Sequence, residues 1–212
     1  TVNSLLRRFT GSVNGYGGSF NLMSVSIANG EAEDQLNIVN AKVKISGLEI
    51  SNAMSDAFDC DFCSGTIENI LISDVGGDGL DISGSDLSIS KMTAKNIDDK
   101  AFSVGEKSFA NIDNSLFDNI ATGIAVKDSS IVKASNISLK NVAYDAFMTY
   151  IKKPFYKGST KLIVNKFDIA DGDGDVSSFC VREEGTDLII DNKYCSISKI
   201  DIDELYKGRM KK

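Results

Sequence analysis

A polar residue returns along this chain at a nearly constant step, and that step limits the fold more than any other feature. Asn29, Asn52, Asp74, Asn96, Asn119 and Asn141 follow one another at intervals of 23, 22, 22, 23 and 22 residues, each after a short alternating apolar run. A second series, Leu36, Phe58, Leu80, Phe102, Ile124 and Phe147, keeps the same step. Repeats of this length build solenoids, in which each unit buries its apolar face only by stacking on its neighbours.

Within one unit, Leu80 and Ile82, then Leu87 and Ile89, then Met92 and Ala94 alternate with polar residues. Period-two alternation in such short stretches is a strand signal, and three strands per repeat separated by small or polar corners bend the chain round a narrow core. Equivalent strands of successive coils run the same way, so they pair in parallel. The expected fold is therefore all-β, a parallel β-helix with coils of 22–23 residues. A leucine-rich repeat, with its Leu-rich consensus and convex helix, does not fit. The Asn series reads as a structural ladder, because Asn and Asp tolerate the left-handed backbone of a tight corner and stacked amides hydrogen-bond up the column.

The even repeat gives no reason to divide the 212 residues, so residues 1–212 are expected to form a single β-helix domain, with regular coils over 30–153. A loop excursion is expected at 151–160, because the step from Asn141 to Asp171 is 30 and the extra residues hold the only proline. Residues 161–212 read as less regular C-terminal coils or a cap, with Ile197 to Tyr206 as a last strand or a short helix.

Composition narrows the chemistry. A net charge of −7 disfavours nucleic acid, and the basic run Lys207 to Lys212 reads as a solvated end. No apolar run suits a membrane span, and the N-terminus lacks the pattern of a signal peptide, which leaves the compartment open. The chain has no histidine, which removes Ser-His and Cys-His nucleophile pairs and imidazole metal ligands. It has no tryptophan either, so any sugar-stacking platform must come from Tyr or Phe.

The most suggestive constellation is acidic. Asp34, Asp56, Asp78, Lys100, Thr122 and Asp145 occupy one column, and Asn37, Asp59, Asp81, Ser103, Ala125 and Met148 occupy another. If Phe58 and Cys60 face inward, Asp59, Asp61 and Asp81 project outward. Like charges at about 5 Å on neighbouring strands repel unless a cation or a basic group compensates. Asp59, Asp61 and Asp81 are thus the candidate metal ligands, with Ca²⁺ as the candidate cofactor. The same carboxylates with Lys100 and Lys127 form the candidate catalytic set, while Asp56, Asp78, Glu106, Tyr150 and Lys152 are candidate ligand-binding residues. The alternatives are a solvated acidic stripe and catalysis by paired carboxylates, although any ladder of Asp residues offers glycosidase-like spacings.

Two further motifs fall short. Asp171-Gly-Asp-Gly-Asp175 imitates the start of an EF-hand loop, but Val176 and Arg182 stand where Gly and Glu are required. Cys60-Asp-Phe-Cys63 lacks the second close pair or the histidines of a zinc site, and Cys60 reads as a small buried apolar residue. Cys180 and Cys195 are a possible disulfide in an oxidising compartment.

The segments Ser-Asp-Ala-Phe-Asp-Cys-Asp-Phe (55–62), Gly-Gly-Asp-Gly-Leu-Asp-Ile-Ser-Gly-Ser (76–85), Asp-Lys-Ala-Phe-Ser-Val-Gly-Glu-Lys-Ser (99–108) and Gly-Ile-Ala-Val-Lys-Asp-Ser-Ser (123–130) resemble the right-handed parallel β-helix domains of the pectin lyase-like superfamily. They are most similar to a bacterial branch associated with CotH kinase-like proteins, over about residues 30 to 153. The resemblance implies a right-handed helix and, since that superfamily includes lyases, hydrolases, epimerases and non-catalytic adhesins, leaves function to the site. In pectate lyases an acidic cluster binds calcium and a basic residue removes a proton. Asp59, Asp61 and Asp81 resemble the first and Lys100 or Lys127 the second, while the histidine of polygalacturonases is absent. The expectation is a polysaccharide- or glycan-binding domain of an extracytoplasmic or cell-surface bacterial protein, with further domains of that protein at either end. The alternatives are a cation-assisted polysaccharide lyase or epimerase, and a non-catalytic structural spacer.

Overall fold

The structure, a computed structural model, describes residues 10–170 and 179–200. Along these the chain passes through β1 (Gly11–Tyr16), β2 (Ser19–Gly30), β3 (Asp34–Val39), β4 (Lys42–Ala53), β5 (Asp56–Asp61), β6 (Ser64–Val75), β7 (Leu80–Ser83), β8 (Asp86–Gly105), β9 (Phe109–Lys127), β10 (Ile131–Val142), β11 (Phe147–Tyr150), β12 (Thr160–Ile169), β13 (Cys180–Arg182), β14 (Thr186–Ile190) and β15 (Lys193–Tyr194). All the regular elements among the described residues are strands.

The pairing is that of a parallel β-helix. One wall stacks β1, β3, β5, β7, the ends of β8 and β9, β11 and β13, and is called the front wall below. The other walls come from β2, β4, β6, the first parts of β8 and β9, β10, β12 and β14, long strands that bend midway. As far as β11, successive coils pair at steps of 22 or 23 residues, as in Asp59↔Asp81 and Leu36↔Phe58 together with Ile124↔Phe147, whereas the later pairings, such as Ile131↔Lys161 and Phe147↔Cys180, take longer steps. A short antiparallel pairing of β14 with β15 interrupts the pattern near the C-terminal end.

Three corners turn each coil, and each is made by a residue with positive φ. The anticipated ladder lies at one of them, with φ of 61° at Asn29, 53° at Asn52, 58° at Asp74, 54° at Asn96, 56° at Asn119 and 53° at Asn141. Its amides bond up the column, Asn96 Nδ2 donating to Asp74 Oδ1 at 2.8 Å and Asn119 Nδ2 to Asn96 Oδ1 at 2.8 Å. The bend within the long strands is a second such column: Ser24, Gly47, Asn69, Lys91, Asn114, Asn136 and Lys166. Asn40, Phe62, Gly84, Glu106 and Asp128 turn the third corner, directly after the front wall.

Inside, Phe58, Cys60, Leu80, Ile82, Phe102, Val104, Ile124 and Val126 from the front wall meet Ile67, Ile70, Ile72, Ile89, Met92 and Ile112 from the others in one continuous apolar core. Behind the third corner runs a buried hydroxyl ladder. Ser85 Oγ accepts the N–H of Cys63 at 2.8 Å, Ser108 Oγ that of Ser85 at 3.0 Å, and Ser130 Oγ that of Ser108 at 3.1 Å. These hydroxyls satisfy backbone groups that the corner removes from the sheet.

The stack begins earlier than residue 30. β1 and β2 pair in register with β3 and β4, setting Val13 on Leu36 and Phe20 on Val43. The excursion after Tyr150 is present, with no strand until Thr160, and it folds back onto the third corner. Lys152 and Lys153 donate backbone N–H groups to Asp128 Oδ1 at 2.8 and 2.6 Å. Lys153 Nζ and Tyr156 Oη both bond the Glu106 carboxylate, the latter at 3.0 Å. At the far end Ile197 bridges to Arg182 beside β13, which favours the last-strand reading up to that residue. The remainder of that segment, the EF-hand-like Asp171–Asp175 and the basic tail lie outside the described residues.

The cysteines require one correction. Cys60 is not a free apolar residue but is bonded to Cys63, and both are buried, at 0% and 2% exposure. The turn at Phe62, with φ of 53°, brings the two Cα atoms to 5.9 Å, within the range a disulfide spans. Cys180 and Cys195 form the second disulfide, as their positions suggested.

Candidate functional site

The outward face of the front wall changes character from coil to coil. Register aligns Asn37, Asp59, Asp81, Ser103, Ala125, Met148 and Val181 in one column. A second column places Lys127 beside Tyr150, two residues beyond Ala125 and Met148. The early coils are therefore acidic and the late coils apolar. Ala125, Met148 and Tyr150 are buried in a separate outer cluster on which Val181 and Ile200 pack. Tyr150, a predicted ligand-binding residue, is 0% exposed within that cluster.

In the acidic part, crowding governs protonation. Burial pushes the Asp59 carboxyl from the ordinary 3.8 to about 9, and the charges acting on it, those of Asp61, Asp81, Asp34 and Asp56, all reinforce the rise. Asp61 is pushed to about 6 by burial, then by Asp81, Glu106 and Asp34, with Lys153 opposing. Asp81 Oδ1 is closed off from solvent and accepts no hydrogen bond, with Lys127 Nζ 3.7 Å away. Lys127 Nζ donates to Ser103 Oγ at 2.6 Å, and its stem lies across Gly105, where an added Cβ would stand 3.0 Å from Lys127 Cε.

The column of Asp34, Asp56, Asp78, Lys100, Thr122 and Asp145 is not a solvated stripe. These residues are 2% to 7% exposed. Two of the carboxylates bind the backbone of the next coil: Asp56 Oδ1 accepts the Asp78 N–H at 2.8 Å and Asp78 Oδ1 the Lys100 N–H at 3.1 Å. Gly77 allows this approach, since a Cβ there would lie 2.1 Å from Asp56 Oδ1. A corner N–H with no strand partner must be satisfied, and a short carboxylate reaches it.

Lys100 ends the acidic run in this column. Its Nζ donates to Asp78 Oδ1 at 2.9 Å and Asp99 Oδ2 at 2.7 Å. Burial works against ionisation of Asp78, but the charges of Lys100 and Lys127 and the hydrogen bonds from Lys100 outweigh it and hold this carboxyl below its ordinary value. Asp99 goes the other way, raised to about 7 by burial and by Asp78 despite Lys100. Sequence reasoning had not singled out Asp99, whose neighbour Asp98 is the same residue type and leaves no sign of which one turns inward.

The structure thus brings Asp56, Asp59, Asp61, Asp78 and Asp81 together with Lys100 and Lys127. Among the described residues the carboxylate oxygens that converge most closely belong to Asp56, Asp78 and Asp81, within 4.8 Å of one another. Glu106 couples to Asp61 from the adjacent corner but is engaged by Lys153 and Tyr156. Burial opposes its ionisation, yet those hydrogen bonds and the Lys153 charge hold it below its ordinary value. Lys152 is tied to Asp128 through its backbone.

Stacking, wall composition and corner chemistry define this chain as a parallel β-helix solenoid. It matches no protein-family model, and no curated protein is significantly similar to it. What the domain does must therefore follow from the chemistry of its front wall.

Proposed function

We propose that this β-helix domain binds a polysaccharide along the acidic part of its front wall, with Ca²⁺ held by Asp59, Asp61 and Asp81, as part of an extracytoplasmic or surface bacterial protein of the pectin lyase-like kind. The observation that carries the reading is the state of Asp59. Burial and then the charges of Asp61, Asp81, Asp34 and Asp56 raise its carboxyl to about 9, so at neutral pH it stays protonated unless a cation joins it. Carboxylate oxygens are the donors that Ca²⁺ prefers, and Asp81 Oδ1, buried without a hydrogen bond and 3.7 Å from Lys127 Nζ, is one such donor. Bound Ca²⁺ would supply positive charge for the hydroxyl and carboxylate groups of a glycan. Two disulfides suit an oxidising compartment, and among the described residues there is no helix long and apolar enough to cross a membrane.

A second reading, a cation-assisted lyase or epimerase, draws on Lys127. Its Nζ stands 3.7 Å from Asp81 at the edge of the cluster, where a base beside a bound cation would be needed. Lys100 suits that role less, being locked between Asp78 and Asp99. Incubation with acidic polysaccharides and absorbance detection of unsaturated products separates the readings. Product formation that vanishes in Lys127→Ala assigns lyase chemistry, whereas Ca²⁺-dependent retention without product assigns binding. A chain that neither melts differently with Ca²⁺ nor retains any glycan would be a spacer.

A further inference from the structure

Beneath the acidic wall lies a closed group of side chains that glycan binding does not use. The Lys100, Asp78 and Asp99 side chains are only 2%, 3% and 7% exposed, and Lys100 Nζ touches both carboxylates at 2.9 and 2.7 Å. Asp99 is also within hydrogen-bonding contact of Asp78, so amine and both carboxyls meet one another in a single dry corner. Asp78 Oδ1 further accepts the Lys100 backbone N–H at 3.1 Å. On this column an Asp faces a Lys one coil later only here; before it Asp78 follows Asp56, and after it Thr122 follows Lys100.

We propose that Asp78 and Lys100 condense into an intramolecular amide that cross-links two successive coils, with Asp99 carrying the protons. The ammonium of Lys100 first gives a proton to Asp99. The freed amine attacks Cγ of Asp78, forming the C–N bond, while the Lys100 backbone N–H supports the charge that develops on Oδ1. Asp99 then gives its proton to the departing Asp78 Oδ2 and relays to the same oxygen the second proton, which the attacking nitrogen sheds, so that this oxygen leaves as water when the C–O bond breaks. One ammonium and one carboxylate become one secondary amide and one water, with no oxidant or other reactant consumed.

The setting favours each step. Holding the reacting groups in contact replaces a bimolecular encounter with an effective concentration on the order of 10⁵ M or more. Condensation removes two buried charges, whose desolvation is otherwise a standing cost. The reverse reaction needs water in a corner that the fold closes. Asp99, raised to about 7, is populated in both protonation states near neutral pH, as a proton carrier must be. The cross-link would fasten coils at the point where the acidic column ends.

Intact-mass spectrometry of the purified chain, after reduction of both disulfides, tests this directly. The expected mass is one water below that of the sequence, and a tryptic digest should yield a branched peptide joining Asp78 to Lys100 with no cleavage after Lys100. Asp78→Asn should still cross-link but lose ammonia instead of water, and Asp99→Asn should leave most chains at full mass. A wild-type chain at its full sequence mass overturns the proposal, as does a missing water that maps to any other pair. Cross-linking of Asp99→Asn at the wild-type extent and rate overturns the role given to Asp99.

Discussion

Replacing Asp59 with Asn removes the charge at the centre of the acidic wall while keeping its shape, and the expected consequence can be worked out from protonation. In the folded chain the carboxyl titrates at about 9, against 3.8 for an unperturbed Asp. The folded state therefore holds a proton that the unfolded state releases above about pH 4. With the folded value raised, the stability this group contributes is complete below pH 4 and is lost progressively as pH rises towards 9. Between those limits each pH unit is worth about 1.4 kcal/mol, so the cost near pH 7 is on the order of 4 kcal/mol. Asn carries no such cost. Urea denaturation of wild type and Asp59→Asn from pH 4 to pH 9, without divalent cations, is the assay. The two should be similar at pH 4 and diverge steadily above it, with the variant the more stable by a few kcal/mol at pH 7. Parallel curves across that range would refute the claim that burial and neighbouring carboxylates hold Asp59 protonated.

The same linkage predicts that added Ca²⁺ displaces protons from Asp59 and Asp61, so the Ca²⁺-induced rise in melting temperature should grow as pH passes through about 6 and on towards 9; a rise independent of pH would contradict it. Asn96→Ala should cost about 2 kcal/mol in urea denaturation, from the left-handed φ of 54° and the two ladder hydrogen bonds, and Asn96→Gly should cost less. Ser108→Ala leaves the Ser85 N–H without an acceptor inside the core and should destabilise by about 1–3 kcal/mol, measured the same way. Glu106→Ala releases Lys153 and Tyr156, and limited trypsin digestion should then cut within 151–159 several-fold faster.

Much of this architecture could be read in the chain because Asn29, Asn52, Asp74, Asn96, Asn119 and Asn141 are among the few residue types that accept a left-handed corner, and they recur in phase with the core positions. The second corner column was invisible for the opposite reason. Asn69, Asn114 and Asn136 are of the type that favours such a corner, but Ser24, Gly47, Lys91 and Lys166 break the series, because neighbouring strands impose the conformation on whatever residue is there. The hydroxyl ladder of Ser85, Ser108 and Ser130 was lost among many serines. The first coil, β1 and β2, escaped notice because β1 is rich in Gly and polar residues and the apolar side chains of β2 are only half-buried.

At the site, alternation correctly turned Asp59 and Asp81 away from the core, since a strand offers only two faces. It gave no account of Asp56 and Asp78, which lie where the chain leaves the strand and their carboxylates fold onto backbone amides. Nor did it reveal that Ile200 packs over the late coils of the same wall, a contact between residues far apart in sequence. The pairing of Cys60 with Cys63 depended on a left-handed turn at Phe62, a residue type that seldom adopts one.

If the front wall binds a glycan, it does so through a cation held by Asp59, Asp61 and Asp81. Probing a glycan array with the domain in the presence of Ca²⁺ and again with a chelator tests it most directly, with an Asp59→Ala/Asp81→Ala variant alongside. Retention on a set of polysaccharides is expected with Ca²⁺ and should disappear on chelation and in the variant. Retention unaffected by either, or no retention at all with Ca²⁺ present, would contradict it.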